Sequence, residues 1–87
     1  MKPIRFHLAN LQKHGVSPQE VEECLRQGKQ KYFRKARRGV YLVIGQTASG
    51  RYLEVLYEDR PDERYVFHAM DAKPAGIRVF WRRGKRR

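Results

Sequence analysis

The sequence predicts an α+β fold in which two N-terminal helices pack on a three- to four-stranded antiparallel meander sheet. Helix caps and apolar stripes occupy the first half of the chain, whereas alternating β-branched and aromatic runs, separated by turns, occupy the second half. The length of 87 residues fits a single domain that covers residues 1–87. A short C-terminal helix and a basic tail are expected after the sheet.

Two helices are predicted before the sheet begins. The first covers residues 6–14, where apolar side chains recur loosely, and Gly15 would end it in the left-handed conformation that glycine tolerates. The second begins at residues 17–20, Ser-Pro-Gln-Glu, which form a capping box with proline at the first helical position, and it ends at Gly28. Three apolar residues share one face of this helix: Val21, Cys24 and Leu25.

Three strands are predicted in the second half. Residues 40–45 and 51–57 are rich in β-branched and aromatic residues, and the turn at residues 47–50 joins them. After a second turn at residues 59–62, which contains a proline, residues 63–70 form the third strand. Simple alternation divides this strand into two faces, with Val66, His68 and Met70 on one and Tyr65, Phe67 and Ala69 on the other.

The two flanks of the sheet carry weaker patterns. A fourth strand is expected at residues 30–35, around Tyr32 and Phe33, whose rings we interpret as core residues rather than as base-stacking groups. After residue 74, apolar residues recur with helical spacing. We therefore expect a short helix that frays into a flexible basic tail at residues 82–87.

The charge of the chain indicates a polyanionic partner. Twenty Lys and Arg against 9 Asp and Glu give a formal net charge of +11, and nucleic acid is the commonest partner of such a protein. Most cations lie in residues 26–39 and 78–87, whereas most of the acidic residues lie on the second helix and around the second hairpin. The predicted nucleic-acid-binding residues, which would contact RNA, are Lys31, Arg34, Lys35, Arg37, Arg51, Arg78, Arg82 and Arg83.

Several classes of protein are excluded by the composition. The single cysteine, Cys24, excludes an intramolecular disulfide and a zinc site built from several cysteines. No apolar run approaches the roughly 20 residues of a membrane helix. Residues 1–5 carry the charge of a signal peptide without its apolar segment. We therefore expect a cytoplasmic protein that binds no membrane, no metal and no cofactor.

Cleavage of RNA without a metal suits the titratable residues of this chain. The reaction requires a base for the 2′-hydroxyl, an acid for the leaving oxygen, and cations for the charge that develops on the phosphate. Histidine is suited to proton transfer near neutral pH, and Lys and Arg are suited to phosphate. The residues available for these roles are Lys13, His14, Arg34, Arg38 and His68.

The order of these segments resembles the BrnT-like toxin family over roughly residues 6–72. The most specific part is Asn-Leu-Gln-Lys-His-Gly-Val at residues 10–16. Arg-Gly at residues 38–39, the hairpin at residues 41–53 and His-Ala-Met-Asp-Ala at residues 68–72 follow in the same order. The resemblance implies a RelE-like fold and the toxin of a type II toxin–antitoxin pair, which cleaves RNA without a metal. It also implies a cognate antitoxin that neutralises the toxin and, as a complex with it, binds operator DNA.

The resemblance also implies roles for particular residues. By position, Lys13 and His14 match the helix segment of the family, and Arg34 or Arg38 matches its basic residue at the entrance to the sheet. The predicted catalytic residues are Lys13, His14, Arg38 and His68. Met70 stands where many members of the family have arginine. Two alternatives therefore stay open: a non-catalytic module that binds RNA or DNA, and an interaction protein that binds the antitoxin.

Overall fold

The computed structural model describes residues 2–26 and 32–85 and confirms an α+β architecture, with three helices and a five-stranded mixed sheet in these ranges. In chain order the elements are β1 (Ile4–Phe6), α1 (Leu8–Lys13), α2 (Pro18–Leu25), β2 (Tyr32–Arg37), β3 (Val40–Gln46), β4 (Tyr52–Asp59), β5 (Arg64–Asp71) and α3 (Pro74–Lys85). Gly28, where the second helix was predicted to end, lies outside the described residues.

The strands lie in the order β1-β5-β4-β3-β2. From β2 to β5 they form the antiparallel meander that the alternating pattern predicts. β1 instead pairs in parallel with β5, where Ile4 is opposite Arg64 and Phe6 is opposite Val66. The sheet therefore has five strands and is mixed, which differs from the predicted antiparallel sheet of three to four strands.

The first predicted helix begins too early in the chain. Phe6, which its spacing placed in that helix, lies in β1, and α1 starts at Leu8. The amide of His7 donates to the carbonyl oxygen of Val66 at 2.8 Å, and His7 Nδ1 accepts from the amide of Asn10 at 3.3 Å. His7 therefore both ends β1 and caps α1. Three residues are too few to show an alternating pattern, which explains why the sequence did not reveal β1.

The second helix begins as the sequence predicts. Ser17 Oγ accepts from the amide of Glu20 at 3.1 Å, and Glu20 Oε1 accepts from the amide of Ser17 at 3.0 Å, which completes the capping box. The predicted stripe of Val21, Cys24 and Leu25 is buried. Local caps and helical periodicity therefore fix both the start and the orientation of α2.

One face of the sheet forms the hydrophobic core beneath α1 and α2. β4 alternates strictly and buries Leu53, Val55 and Tyr57 on this face. The other members of the core come from the two helices, the loop between them, β3 and β5: Leu11, Val16, Val21, Cys24, Leu25, Val43, Val66 and Ala69. The alternation of β4 leaves its remaining side chains on the second face of the sheet.

A β-bulge at Phe67 changes which residues of β5 share a face. Tyr57 is opposite Val66, whereas the preceding residue Leu56 is opposite His68, so that Phe67 is an extra residue in β5. Val66 is buried in the core, and His68 lies with Leu56 on the second face. The prediction that His68 shares a face with Val66 is therefore wrong, because it assumed an uninterrupted ladder.

α3 covers part of the second face of the sheet. Its Phe80 is buried, and the rings of Phe80 and Tyr52 meet edge to face with centroids 5.5 Å apart. The helix runs for 12 residues to Lys85, so residues 82–85, which the sequence placed in a basic tail, are helical. The part of this face that lies nearer to β5 carries the candidate site.

Candidate functional site

Two histidines from distant parts of the chain meet at the second face of the sheet. His14 follows the last residue of α1 and His68 lies in β5, and their ring centroids are 5.8 Å apart in an edge-to-face arrangement. His68 Nε2 lies 3.3 Å from Glu54 Oε2 of β4. The side chains of His68 and Glu54 are 26% and 23% exposed, so the cluster is shielded but still reachable from solvent. We call His14, His68 and Glu54 the histidine cluster.

The position of α1 brings His14 to this cluster. α1 lies along β5 beyond the short pairing with β1, where Asn10 Nδ2 donates to the carbonyl oxygen of Phe67 at 2.8 Å. Leu11, on the same helix, is fully buried in the core. The amide of His14 donates to the carbonyl oxygen of Leu11 at 3.1 Å, and Gly15 follows with a φ of +66° that ends the helix. The helix is thus fastened to the bulge at one point and to the core at another.

An open cleft of about 280 Å³ adjoins the histidine cluster, between β2–β4 and the start of α3. Arg34, Lys73 and Glu54 contribute the charged side chains of its lining. Because Glu54 belongs both to the cleft and to the histidine cluster, the two features are continuous. The first turn of α3 also lines the cleft, and the positive end of a helix dipole favours an anion there.

The arrangement is suited to proton transfer beside a phosphate group. Two neighbouring imidazoles supply one group that takes a proton and another that gives one. A carboxylate that contacts an imidazole nitrogen fixes the orientation and the tautomer of the ring, and Glu54 makes this contact with His68. Arg34 and Lys73 provide positive charge at the cleft, where it stabilises a phosphate oxygen.

Arg34 is on the same face of the sheet as the histidine cluster. Arg34 is opposite Leu42, Leu42 is opposite Leu56, and Leu56 is opposite His68. The Arg34 and His68 backbones are therefore three strands apart, or about 14 Å. An extended strand of RNA that crosses this face is long enough to contact both residues.

Arg38, which was predicted as catalytic, is not brought to the histidine cluster. It lies exposed in the turn between β2 and β3, beside the exposed Arg37 at the end of β2. Arg38 follows Arg34 by four positions, which corresponds to about 13 Å along an extended chain. Lys13 is exposed at the last position of α1, next to His14, and so stays close to the cluster.

Among the remaining predicted nucleic-acid-binding residues, those whose burial the structure describes are exposed. Lys35 is exposed. It is opposite Tyr41 of β3, which packs against the core, so Lys35 lies on the core side of β2. Arg78 and Arg82 are exposed on α3. Arg83 belongs to the same helix, and Lys31 lies outside the described residues.

Arg51, which the sequence assigned to nucleic acid, makes ion pairs and hydrogen bonds within the protein. Its guanidinium donates to Asp71 Oδ1 at 2.7 Å and to both carboxylate oxygens of Glu20 at 3.1 Å. It also donates to the carbonyl oxygen of Gly15 at 3.0 Å and to that of His14 at 3.5 Å. These contacts fasten the loop after α1 to α2 and to the end of β5. Arg51 thus contacts the backbone of His14, whose ring belongs to the histidine cluster.

The contacts of Arg51 with Glu20 and Asp71, which we call the arginine network, should make the stability of the fold sensitive to acid. Hydrogen bonding to the Ser17 amide, and then to Arg51, lowers the pKa of Glu20 below its ordinary value of 4.5, and Arg51 lowers the pKa of Asp71 below 3.8. The unfolded chain therefore binds protons more readily, so the stabilisation is present above these ordinary values and is lost as the pH falls through the lowered ones. Urea titrations between about pH 7 and pH 3 should show the free energy of unfolding falling less steeply in Arg51→Gln than in the wild type.

Arg78→Gln is the matched control for this measurement. It also removes one guanidinium, but from the exposed surface of α3 rather than from the network, and it should keep the wild-type dependence on pH. An unchanged acid dependence in Arg51→Gln would show that the network is not the origin of the effect.

Two residues of the site were not identified from the sequence. Glu54 alternates with Leu53 and Val55, which predicts that it lies away from the core, but only the register with β5 places it beside His68. Lys73 lies between the last strand and α3, where it belongs to no motif. Neither residue carries a local signal that would have singled it out.

Two further findings apply to residues 2–26 and 32–85. No three side chains of His, Cys, Asp or Glu in these ranges are arranged to hold a metal ion. None of the helices formed by these residues is both long and apolar enough to cross a membrane.

A model of a known protein family matches most of the chain. The family is DUF4258, described as a domain of unknown function, and the match covers residues 8–71, from the start of α1 to the end of β5. The matched range contains the histidine cluster and Arg34, whereas α3 follows it. No curated protein and no solved structure matches the chain. With residues 8–71 of 87 covered, the chain belongs to the DUF4258 family.

Proposed function

We propose that this protein is a metal-independent RNA endonuclease and the toxin of a type II toxin–antitoxin pair of the BrnT-like kind, which acts in the cytoplasm. The observation that carries the proposal is the pair of rings of His14 and His68, 5.8 Å apart, on a protein with a net charge of +11. General acid–base catalysis needs two such groups close to each other, and RNA binding needs the positive charge.

The proposed reaction is an internal transesterification of RNA. One histidine of the pair takes the proton of a 2′-hydroxyl, and the 2′-oxygen forms a bond to the adjacent phosphorus. The bond from phosphorus to the 5′-oxygen breaks, and the second histidine gives that oxygen a proton. The products are a 2′,3′-cyclic phosphate and a 5′-hydroxyl end. The two histidines return to their starting states by exchanging protons with water.

Charge stabilisation in this reaction is assigned to the cleft. Negative charge builds on the phosphate oxygens as the 2′-oxygen attacks, and preorganised cations lower the energy of that state. Arg34 and Lys73 line the cleft that shares Glu54 with the histidine cluster. This assignment favours Arg34, of the two arginines that the family resemblance allowed, because Arg38 lies in the distal turn.

The protein should cleave RNA in the presence of a chelator. The test incubates the purified protein with single-stranded RNA and EDTA and examines the ends of the fragments for cyclic phosphate. A substrate with 2′-O-methyl groups is the matched control and should stay intact, because it has no proton to lose. Intact RNA together with salt-sensitive binding would overturn the proposed catalysis and favour the non-catalytic binding module. A lack of any salt-dependent binding would reject both.

The antitoxin is part of the same proposal. The resemblance to BrnT-like toxins supports a cognate DNA-binding antitoxin encoded beside this chain. Expression of the protein alone should arrest growth, and co-expression of the adjacent reading frame should relieve the arrest and yield a complex of the two proteins. A complex that forms without any toxicity or affinity for RNA would favour an interaction protein instead.

A further inference from the structure

An exposed tryptophan on α3 lies outside the proposed catalytic cluster. Trp81 is a large hydrophobic residue that is 46% exposed. Its ring meets those of Phe80 and Tyr52 edge to face or at a steep angle, with centroids 5.5 Å and 6.3 Å away. The ring is therefore held in place on one side and open on the other.

The surroundings of Trp81 are cationic. Arg78 and Arg82 are exposed and line, together with Trp81 and Ile77, an open depression of about 350 Å³. No acidic residue occurs in the sequence from Lys73 to the last residue, whereas seven of those positions are Lys or Arg. A fixed aromatic ring between guanidinium groups is the arrangement that proteins use to hold unpaired bases, since the ring stacks on the base and the cations contact phosphates.

The location of Trp81 connects it to the proposed cleavage site. Tyr52, which contacts Trp81, precedes Glu54 by two positions in β4, so the two residues share the second face and are about 7 Å apart. A strand of RNA that reaches the histidine cluster can therefore continue over Tyr52 to α3. The contact would lie within a few nucleotides of the cleaved bond.

We propose that Trp81, with Arg78 and Arg82, forms a stacking site for a base of single-stranded RNA. This inference rests on the proposed function, because it assigns a second contact to the same RNA strand. The site is sequence-tolerant, since every base offers a face for stacking. It requires unpaired RNA, since the bases of a duplex are already stacked on one another.

Trp81 is the only tryptophan in the sequence, so its fluorescence reports on this site directly. The wild-type protein is titrated with a single-stranded 2′-O-methyl RNA oligonucleotide, which cannot be cut by attack of the 2′-oxygen, and with the same sequence as a duplex. The single strand should quench the fluorescence in a saturable manner, and the duplex should quench it much less. Equal quenching by both forms, or no quenching by the single strand, would overturn the stacking site.

Substitutions supply an independent measurement with a labelled oligonucleotide. Trp81→Ala should weaken binding of the single strand by about tenfold, and Trp81→Phe should restore most of the loss because it keeps an aromatic face. Leu8→Ala, which removes the hydrophobic side chain of a residue that is 53% exposed on α1, should bind as the wild type does. Thermal unfolding checks that Trp81→Ala keeps its fold, and equal affinity of a folded Trp81→Ala variant would overturn the inference.

The outcomes separate this inference from the proposed function. Cleavage of RNA with no change in tryptophan fluorescence would overturn the stacking site and leave the endonuclease standing. Quenching by the single strand without cleavage of unmodified RNA would support the stacking site and overturn the endonuclease. A fluorescence change that occurs with the antitoxin but not with RNA would assign Trp81 to the protein partner and overturn the stacking site.

Discussion

His68→Ala is expected to slow RNA cleavage by about 10²- to 10⁴-fold, which is the usual contribution of a positioned general acid or base. His14→Ala should have an effect of the same order, and the double variant should be little worse than either single one, because both histidines act in one step. The rate is measured with a saturating amount of protein over a labelled RNA, so that a change in binding does not enter the result.

The pH profile distinguishes a catalytic role from a structural one. A reaction with one base and one acid gives a bell-shaped profile, and each single variant should lose one limb of the bell. Glu54→Gln keeps the size of the side chain but removes the charge next to His68, so it should lower the rate and change the profile without unfolding the protein.

His7→Asn is the matched control for the two histidine variants. His7 also lies at an end of α1, and its side chain caps the helix by accepting from the amide of Asn10, a role that asparagine can take over. The variant should therefore cleave RNA as the wild type does. Wild-type rates in both His14→Ala and His68→Ala would contradict the proposed catalytic pair.

Arg34→Ala is expected to lower cleavage by about 10- to 100-fold, which corresponds to the loss of one hydrogen bond to a charged group. Arg34 lines the cleft that contains Glu54, on the same face of the sheet as His68. The guanidinium is therefore placed to neutralise a phosphate of the bound RNA.

Arg38→Ala is the matched comparison for Arg34→Ala, because it also removes an arginine side chain, but from the turn between β2 and β3. It should reduce affinity for RNA modestly, with a smaller dependence on salt, and leave the rate of the bound complex unchanged. A larger loss of rate in Arg38→Ala than in Arg34→Ala would contradict the proposal that Arg34 in the cleft stabilises the phosphate. It would favour Arg38, which the sequence analysis predicted as catalytic. Both variants change exposed residues, so neither should alter the free energy of unfolding by more than about 0.5 kcal/mol.

The local signals in the sequence predicted the local structure well. The capping box from Ser17 to Glu20 and the stripe on α2 are short-range patterns, and both occur as predicted. The alternation of Leu53, Val55 and Tyr57 also places them in the core. In each case the physical cause lies within a few residues of the pattern, so the sequence alone contains it.

The features that the sequence did not reveal depend on partners far along the chain. β1 exists because residues 64–66 offer it an edge, and the side-chain direction of His68 depends on the bulge at Phe67. Arg51 was predicted to bind nucleic acid, and its pairing with Glu20 and Asp71 is visible only in the fold. Net charge and spacing cannot show which cations are already paired, or which strand lies next to which.

The candidate site was therefore predicted in part. His14 and His68 were identified by chemistry and by resemblance, and the structure brings their rings together. Arg38 was placed in the same group because the family resemblance matches it to the basic residue at the entrance to the sheet, and the turn that holds it lies away from the cluster. Glu54 was not predicted as a site residue, because only the register between β4 and β5 shows that it lies beside His68.

The parallel pairing of β1 with β5 has a consequence for the order in which the protein folds. Ile4 pairs with Arg64, which lies 60 positions later in the 87-residue chain, whereas the strands of the meander pair with strands that are adjacent in the sequence. Contacts that close long loops form late and slow the folding reaction. A nascent chain leaves the ribosome with its N-terminus first. During synthesis, α1 can therefore pack beside the complete β5 only after residue 71, where β5 ends, has left the ribosome. A nascent chain therefore carries separated histidines, and the proposed activity would first arise when synthesis of the sheet is finished.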